Sequence, residues 1–370
     1  MKMAKAEETV IEIDLKSLSH NYRYLRSKIK PETKFMAVVK AYAYGSDSVA
    51  IAQHLQDLEI DYVAVAYVNE GIVLRKGGIT IPILVLHPQR VHFNTLIEHQ
   101  LEPSIYSKTI LSDFISTAQH MGVVNYPIHL KFNTGLNRLG FSANELPEVA
   151  AIIDQQDAVK VIAVLSHLAA TEDSNETDFT NLQLDRFEAI CHKADVVFKS
   201  KPFKHVLNTS GIINYPHAQY DLVRSGIGLY GYGNQSDIDQ ELQPVMTLKT
   251  IIAQKHTIPS GETVGYNRKY KSNSKTITAT LPLGHADGIG RQYGQGKTFV
   301  SINGKLAPII GNVCMDMIMV DVTGIECTEG DEVIIFGKEL PANEFSKTAQ
   351  TISYELITGL SQRIKRVIIY

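Results

Sequence analysis

Five polar residues at the ends of apolar runs carry the chemistry of this chain: Lys40, Lys131, His167, Asn208 and Arg224. Lys40 closes the run 35–39, a short β-branched stretch that reads as a buried strand and delivers the lysine into a concave site. An ammonium in apolar surroundings loses proton affinity, which is what an amine needs in order to attack a carbonyl and form a Schiff base. The alternative reading is an amphipathic lysine snorkelling from a strand end. Asn208-Thr209-Ser210-Gly211 and Arg224-Ser225-Gly226-Ile227-Gly228 suggest a second chemistry, because small residues let main-chain N–H groups approach an anion closely. The same glycines also suit a plain turn.

The elements that must position these residues recur along the first two-thirds of the chain. Short β-rich runs at 35–39, 62–66, 83–86, 102–105, 128–132, 161–166, 205–207 and 221–223 alternate with helix-compatible stretches. Strand–helix alternation predicts a parallel sheet with crossover helices, and eight repeats predict closure into a (β/α)8 barrel rather than an open sheet. Each of the five residues then stands at or just within the C-terminal end of a strand, where a parallel barrel gathers its active-site side chains. The two Gly/Ser-containing segments follow the seventh and eighth strands, a common place for a barrel phosphate site.

The pattern changes after residues 233–236. From about residue 242, short alternating strands separated by glycine turns are expected at 246–255, 276–282, 298–302, 307–310 and 332–336, with an Asn303-Gly304 hairpin, a helix over 342–357 and a β-rich tail at 366–370. The expected organisation is a barrel over 8–240 and a mostly β domain over 241–370.

Composition narrows the function. A 370-residue chain with net charge −3 has no basic field for nucleic acid and no Lys/Arg cluster for a membrane surface, so the expected partners are small molecules and further copies of itself. Cys191, Cys314 and Cys327 are unevenly spaced and lack metal-site spacing, so no metal is expected and a reduced, cytoplasmic setting is. No apolar stretch has signal-peptide or membrane-span length, and the first half-dozen residues read as a linker remnant.

The residues now assembled resemble the alanine racemase family, pyridoxal-phosphate enzymes of cell-wall metabolism. The motifs are V-V-K-A-Y-A-Y-G from Val38, H-L-K-F-N-T-G-L-N-R-L-G-F from His129, Ser166-His167, Asn208-Thr209-Ser210 and Arg224-Ser225-Gly226-Ile227. In the second half they are G-E-T-V-G-Y ending at Tyr266, Ala286-Asp287-Gly288, G-N-V-C-M-D from Gly311 and Ser353-Tyr354-Glu355-Leu356. They occur in the family's order across the whole chain. Details at 40–46, 261–267 and 361–366 look closest to the racemase halves of fused cell-wall ligase–racemase proteins.

The resemblance implies interconversion of L- and D-alanine, supplying D-alanine for peptidoglycan, with pyridoxal 5'-phosphate held covalently by Lys40. Arg224 would face the pyridine nitrogen, where a fixed cation weakens the electron sink relative to an acidic partner. Tyr44, Thr209 or Ser210, the backbone of Gly226 and Ile227, and Tyr354 would bind the phosphate. His167 would pack on the ring or support Arg224, and Asn208 would line the ring's edge. Arg138 would reach the phenolic oxygen, oriented by Lys131, which is often carbamylated in the family. Inverting a planar α-carbon needs one acid/base group on each face, and Lys40 and Tyr266 would be that pair. Tyr266 and Met315 would come from the partner in a head-to-tail homodimer with shared active sites, and His285 would stand at the substrate entrance.

Three positions depart from the commonest family pattern. Asn133 replaces an aspartate, which bears on support for Lys131 and Arg138; His285 replaces a tyrosine; Tyr42 replaces an asparagine. Neither expected base is lost. The rival readings are a broader-specificity amino-acid racemase and a non-catalytic module that only holds the cofactor; the second leaves residues 242–370 without a task.

Overall fold

The structure is a computed structural model describing residues 6–233 and 235–370. Residues 1–5, where the linker remnant was expected, and Asn234 in the expected boundary lie outside the described residues. Among the described residues, no helix is long and apolar enough to cross a membrane.

The chain opens with β1 (Val10–Asp14) and then builds eight parallel strands: β2 (Lys34–Val38), β3 (Tyr62–Val65), β4 (Ile83–Val85), β5 (Glu102–Ile105), β6 (Tyr126–Lys131), β7 (Val159–Leu165), β8 (Phe203–His205) and β9 (Leu222–Ser225). Their order is β8-β7-β6-β5-β4-β3-β2-β9, with β9 paired parallel to β2. The sheet nearly closes at the β8/β9 seam, where the Asp221 N–H donates to Lys204 O at 3.2 Å and the Arg224 N–H to Leu207 O at 3.1 Å. The expected barrel is therefore present, with each anticipated strand found within a few residues of its place. The closed form lets these short apolar strands pair with a neighbour on both edges while their side chains are buried between a filled interior and an outer ring of helices. Asp14 and Asp47 cap the helices Leu15–Arg26 and Ser48–Asp57, each accepting two first-turn N–H groups.

The second unit is a mixed sheet with two additions from outside the 242–336 run. It contains β10 (Met246–Ile251), β11 (Gln254–Ile258), the small β12 (Thr263–Val264) and β13 (Tyr270–Lys271) pair, β14 (Thr276–Leu281), β15 (Phe299–Ile302), β16 (Lys305–Ile310), β17 (Ile318–Asp321), β18 (Glu332–Phe336) and β19 (Lys365–Ile369). The nine-stranded order is β11-β14-β17-β16-β15-β18-β10-β1-β19. β1 lies here, antiparallel to β10 and parallel to β19, and not in the barrel where the 8–240 division put it. The physical reason is its alternation: Ile11 and Ile13 are fully buried, worth roughly 1.5–3 kcal/mol each. Between them Glu12 meets Lys249 at 2.9 Å in a buried ion pair across the β1/β10 ladder.

Two further expectations need correction. The single run 246–255 is two strands, β10 and β11, which break at Ile252-Ala253 so that β11 can pair with β14 at the sheet's far edge. The helix over 342–357 is two short helices, Ala342–Lys347 and Ser353–Thr358, parted where Gln350 takes φ 58° and the Thr351 N–H turns back to Ser346 O. The Asn303-Gly304 hairpin forms as expected, with φ 50° and 75° at its two loop residues.

The barrel and the second unit are locked at Gly45. Arg366 donates to Gly45 O at 3.0 Å, and a Cβ at Gly45, whose φ is 84°, would lie 1.9 Å from Ile357 O. Gly45→Ala should destabilise the protein by roughly 2–5 kcal/mol, combining a left-handed alanine with a backbone overlap. Denaturant titration followed by circular dichroism checks this; a loss within about 0.5 kcal/mol, the range of an inconsequential surface change, would contradict it.

Candidate active site

At the C-terminal rim of the barrel a cavity of about 690 Å³ is lined by Lys40, Tyr44, Lys131, Arg138, His167, Asn208, Thr209, Ser210, Arg224, Gly226, Ile227 and Tyr354. Every residue expected around the cofactor is thus brought together. Rim geometry explains the convergence: Lys131 ends β6, Arg224 lies in β9, and Lys40, His167 and Asn208 follow β2, β7 and β8 within three residues.

Lys40 and Tyr44 reach the same cavity because Ala41, Tyr42, Ala43 and Tyr44 form one turn of left-handed helix, with φ between 52° and 56°. Such a turn costs non-glycine residues roughly 1–2 kcal/mol each. It is held by the Ala43 N–H donating to Val39 O at 3.0 Å, and by the carboxylate of Glu70, which accepts the Ala41 N–H at 2.6 Å. The other oxygen of Glu70 accepts the N–H groups of Ala66 and Tyr67 at 2.7 and 3.0 Å, anchoring the brace at the end of β3. Nothing in the sequence marks Glu70 for this task. Tyr44 is buried, stacks on Tyr230 at 4.6 Å, and leaves no room for a Cβ at Gly226, which would sit 2.1 Å from its hydroxyl. Burial also raises the Tyr44 phenol well above its ordinary pKa, so it is a neutral donor. Tyr42 is 58% exposed and takes no part in the cavity.

Arg224 is buried, and both of its terminal nitrogens donate to acceptors of the chain. Nη2 donates to Ser166 O at 2.7 Å, Val206 O at 3.1 Å and His167 Nδ1 at 3.3 Å; Nη1 donates to His205 Nδ1 at 2.5 Å and His205 O at 3.1 Å. Burial lowers its pKa to about 10, still above neutrality. His167 is held well below its ordinary pKa by burial and by Arg224, Arg138, Lys131 and Lys40 around it, so it is a neutral ring that supports Arg224. Asn208 caps the helix Thr209–Asn214, accepting the Gly211 N–H at 2.9 Å and the Thr171 hydroxyl at 2.8 Å. Thr209 and Ser225 share a hydroxyl hydrogen bond of 3.0 Å.

Lys40 is shifted down by burial and by Arg138, with Glu70 opposing. Lys131 is pushed down to about 8 by burial and the neighbouring Arg138, Arg224 and Lys40. Asn133 supports neither cation directly: its Oδ1 accepts the N–H groups of Gly135 and Asn137 at 3.1 and 3.0 Å, and its Nδ2 donates to Asn137 Oδ1 at 2.8 Å. It shapes the turn that presents Arg138. Sequence reading missed His87, Leu86, Leu136 and Glu172 as lining residues: His87, Leu86 and Glu172 lie outside the motifs, and Leu136 lies inside one as an apolar residue without an assigned role.

The structure does not bring Tyr266, His285 or Met315 to this cavity. All three are on the second unit; Tyr266 is 71% and Met315 59% exposed, and His285 is exposed. They do sit together: the His285 and Ala286 N–H groups donate to Cys314 O and Met315 O at 2.9 and 3.0 Å, and Asn312 donates to Tyr266 O at 3.0 Å. A cofactor with an aldehyde, a ring nitrogen and a phosphate fits the cavity's own donor set: the Lys40 amine, the buried Arg224 guanidinium, and the hydroxyls and first-turn N–H groups at Thr209, Ser210, Gly226 and Ile227.

Residues 13–234 match the family "Alanine racemase, N-terminal domain", and residues 245–368 match "Alanine racemase, C-terminal domain". The chain is 34% identical over 372 residues to the alanine racemase of Clostridium novyi, covering 97% of this chain and 94% of that protein. It superposes on the alanine racemase of Clostridium difficile 630 with a TM-score of 0.92 and 31% identity, covering 99% of this chain and 97% of that one. It also resembles the alanine racemase from Bartonella henselae with covalently bound pyridoxal phosphate, at TM-score 0.88 and 27% identity over 98% of this chain and 100% of that one.

The charge state of Lys131 gives a stability test. Its folded pKa of about 8 lies below the ordinary 10.5, so between those values the unfolded chain binds more protons and stability rises with pH. The penalty is full below about pH 8 and fades above it. The stability of the wild type relative to Lys131→Met should climb by roughly 3 kcal/mol from below pH 8 to above pH 10 in carbon-dioxide-free buffer; a flat difference would mean the site does not press on this ammonium.

Proposed function

This chain belongs to the alanine racemase family, and from that premise we propose that it interconverts L- and D-alanine with Lys40 and Tyr266 as the two proton-transferring groups. The enzyme is a pyridoxal-phosphate-dependent racemase, an isomerase. The observation that supports the reading most strongly is the single cavity in which the Lys40 amine, the Arg224 guanidinium and a hydroxyl-rich anion pocket meet.

When bound, the cofactor supplies the conjugated electron sink that lets an α-hydrogen leave as a proton. Lys40 anchors it and serves one face of the substrate's α-carbon; its lowered proton affinity, from burial and Arg138, suits an amine that must both bond to carbon and accept a proton. Arg224 holds the ring nitrogen with a charge that stays fixed, and His167, kept neutral, steadies Arg224 through Nδ1. Tyr44, Thr209, Ser210, Tyr354 and the Gly226-Ile227 backbone hold the phosphate, while Asn208 lines the ring edge. Arg138 takes the phenolic oxygen. Lys131 orients Arg138 as a carbamate: its neutral amine adds to carbon dioxide, a proton leaves to solvent, and the new anion lies among Arg138, Arg224 and Lys40.

Tyr266 serves the opposite face from a second copy of the chain. Support comes from its exposure beside Met315 and His285, on a surface with no access to the Lys40 cavity of its own chain. We therefore read the active form as a head-to-tail homodimer in which the barrel of one copy receives the second unit of the other. A methyl side chain is the substrate that a site closed by Tyr266, Met315 and His285 takes best, so the broader racemase is the weaker reading. The features at 40–46, 261–267 and 361–366 suggest kinship with the racemase halves of fused ligase–racemase proteins. A cytoplasmic setting agrees with three free cysteines, Cys191, Cys314 and Cys327.

Incubation of the purified protein and pyridoxal phosphate with each L-amino acid, followed by chiral chromatography, should yield D-alanine in large excess over any other D-product. Equal turnover of lysine and alanine would refute the narrow specificity. Lys40→Ala and Tyr266→Phe proteins, each inactive alone, should regain activity when mixed under conditions of subunit exchange, since a mixed pair contains one intact site; no recovery in demonstrated heterodimers would refute the sharing.

A further inference from the structure

Beneath the cavity, a file of polar side chains descends through the barrel interior from Arg224 to Glu102, the first residue of β5 at the opposite end of the strands. Arg224 Nη1 lies 2.5 Å from His205 Nδ1, His205 Nε2 lies 3.3 Å from His129 Nδ1, and His129 Nε2 lies 2.8 Å from Glu102 Oε2. Both histidines are fully buried. Phe203 packs against both rings and against Tyr62, at centroid distances of 5.5, 5.9 and 6.0 Å, so protein rather than water surrounds the file. Burial, with the neighbouring Glu102, holds the Tyr62 phenol above its ordinary pKa.

The direction of every hydrogen bond in this file is fixed by its ends. A guanidinium only donates, so His205 Nδ1 must offer a lone pair. The neutral His205 ring then carries its proton on Nε2 and donates it to His129 Nδ1. That leaves the His129 proton on Nε2, where the Glu102 carboxylate accepts it. An imidazolium at His129 does not fit: its Nδ1–H would claim the lone pair of His205 Nε2, move the His205 proton to Nδ1 and oppose two N–H groups across 2.5 Å. Burial and Arg224 likewise hold His205 in its neutral form.

We propose that Glu102 is a positioning residue for the racemase reaction, acting through His129 and His205 to keep a lone pair under Arg224 and so fix the aim of that guanidinium at the cofactor's ring nitrogen. The role of Arg224 in this statement rests on the function proposed above. Ser166 O, His205 O and Val206 O hold Arg224 independently of the file, so losing Glu102 changes its aim and not its presence. Without an acceptor at position 102, His129 is free to exchange tautomers, His205 follows, and Arg224 loses its shortest contact.

Neutron diffraction from deuterium-exchanged crystals of the holoenzyme reads the file directly. Deuterium on Nε2 of both His129 and His205, with neither Nδ1 deuterated, is the expected result; deuterium on either Nδ1 overturns the proposal. Two variants supply the functional arm. Glu102→Gln keeps an acceptor oxygen and should bind pyridoxal phosphate, and turn over alanine, within about threefold of wild type. Glu102→Leu leaves the His129 N–H unpaired and should weaken cofactor binding about tenfold or more, with kcat falling and KM for alanine little changed. Equal cofactor affinity and kcat in all three proteins overturns the positioning role, and should the leucine variant not fold, the deuterium positions decide. Those positions are read without turnover: the expected tautomers in a protein that does not racemise alanine would sink the catalytic reading alone, whereas an active enzyme deuterated at Nδ1 would sink this one alone.

Discussion

Uncompensated positive charge governs the rim of this barrel. Lys40, Lys131, Arg138 and Arg224 line one cavity, and the chain's nearby carboxylates do not neutralise them: Glu70 is spent on main-chain N–H groups, and Glu172 lies at the margin. Taking cations from water is costly unless they are paired or hydrogen-bonded. The protein meets that cost in two ways. Arg224 is surrounded by carbonyl oxygens and imidazole nitrogens, and the lysines are pushed towards their neutral forms. The remainder calls for anionic ligands, the kind of group that a phosphate-bearing cofactor supplies. The same crowding keeps His167 neutral, so the imidazole can accept from Arg224 and not compete with it.

Holding those groups at fixed positions requires local strain, and the scaffold is arranged to bear it. The left-handed turn Ala41–Tyr44 aims Lys40 and Tyr44 into the same cavity although they are only four residues apart. Glu70, which accepts the Ala41 N–H and is anchored by those of Ala66 and Tyr67, and the Arg366–Gly45 contact brace it from both sides. Because Arg366 belongs to β19, and β19 pairs with β1 ahead of the barrel, the second unit's sheet reaches the turn that carries the reactive amine. The second unit is thus part of the barrel's mechanical support even before its own exposed residues, Tyr266 and Met315, are considered.

Much of this was legible from residue order. The eight barrel strands are short apolar runs whose burial on both sides admits few other arrangements, and a polar residue at the end of such a run has to stand at the rim. Lys131 and Arg224 follow from that logic and stand at the end of β6 and within β9. The glycine and hydroxyl residues after β8 and β9 carried the anion signal for the same reason: small side chains leave the backbone accessible. The Asn303-Gly304 hairpin was equally plain, since its two residues tolerate the positive φ that the turn demands.

What the sequence determined, then, is whatever depends on near neighbours: the strand set, the residues at each strand end, the hairpin, and by resemblance the family. Long-range pairing decided the rest. β1 reads as the start of a barrel but lies beside β10, because its two buried isoleucines and Glu12 find their partners more than two hundred residues away. The brace from Glu70 and the file Glu102–His129–His205–Arg224 have no local signature, since each contact joins residues that only the closing of the barrel brings within hydrogen-bonding distance. A run of amino acids records which groups can donate or accept; which of them meet is settled when the sheet curls shut.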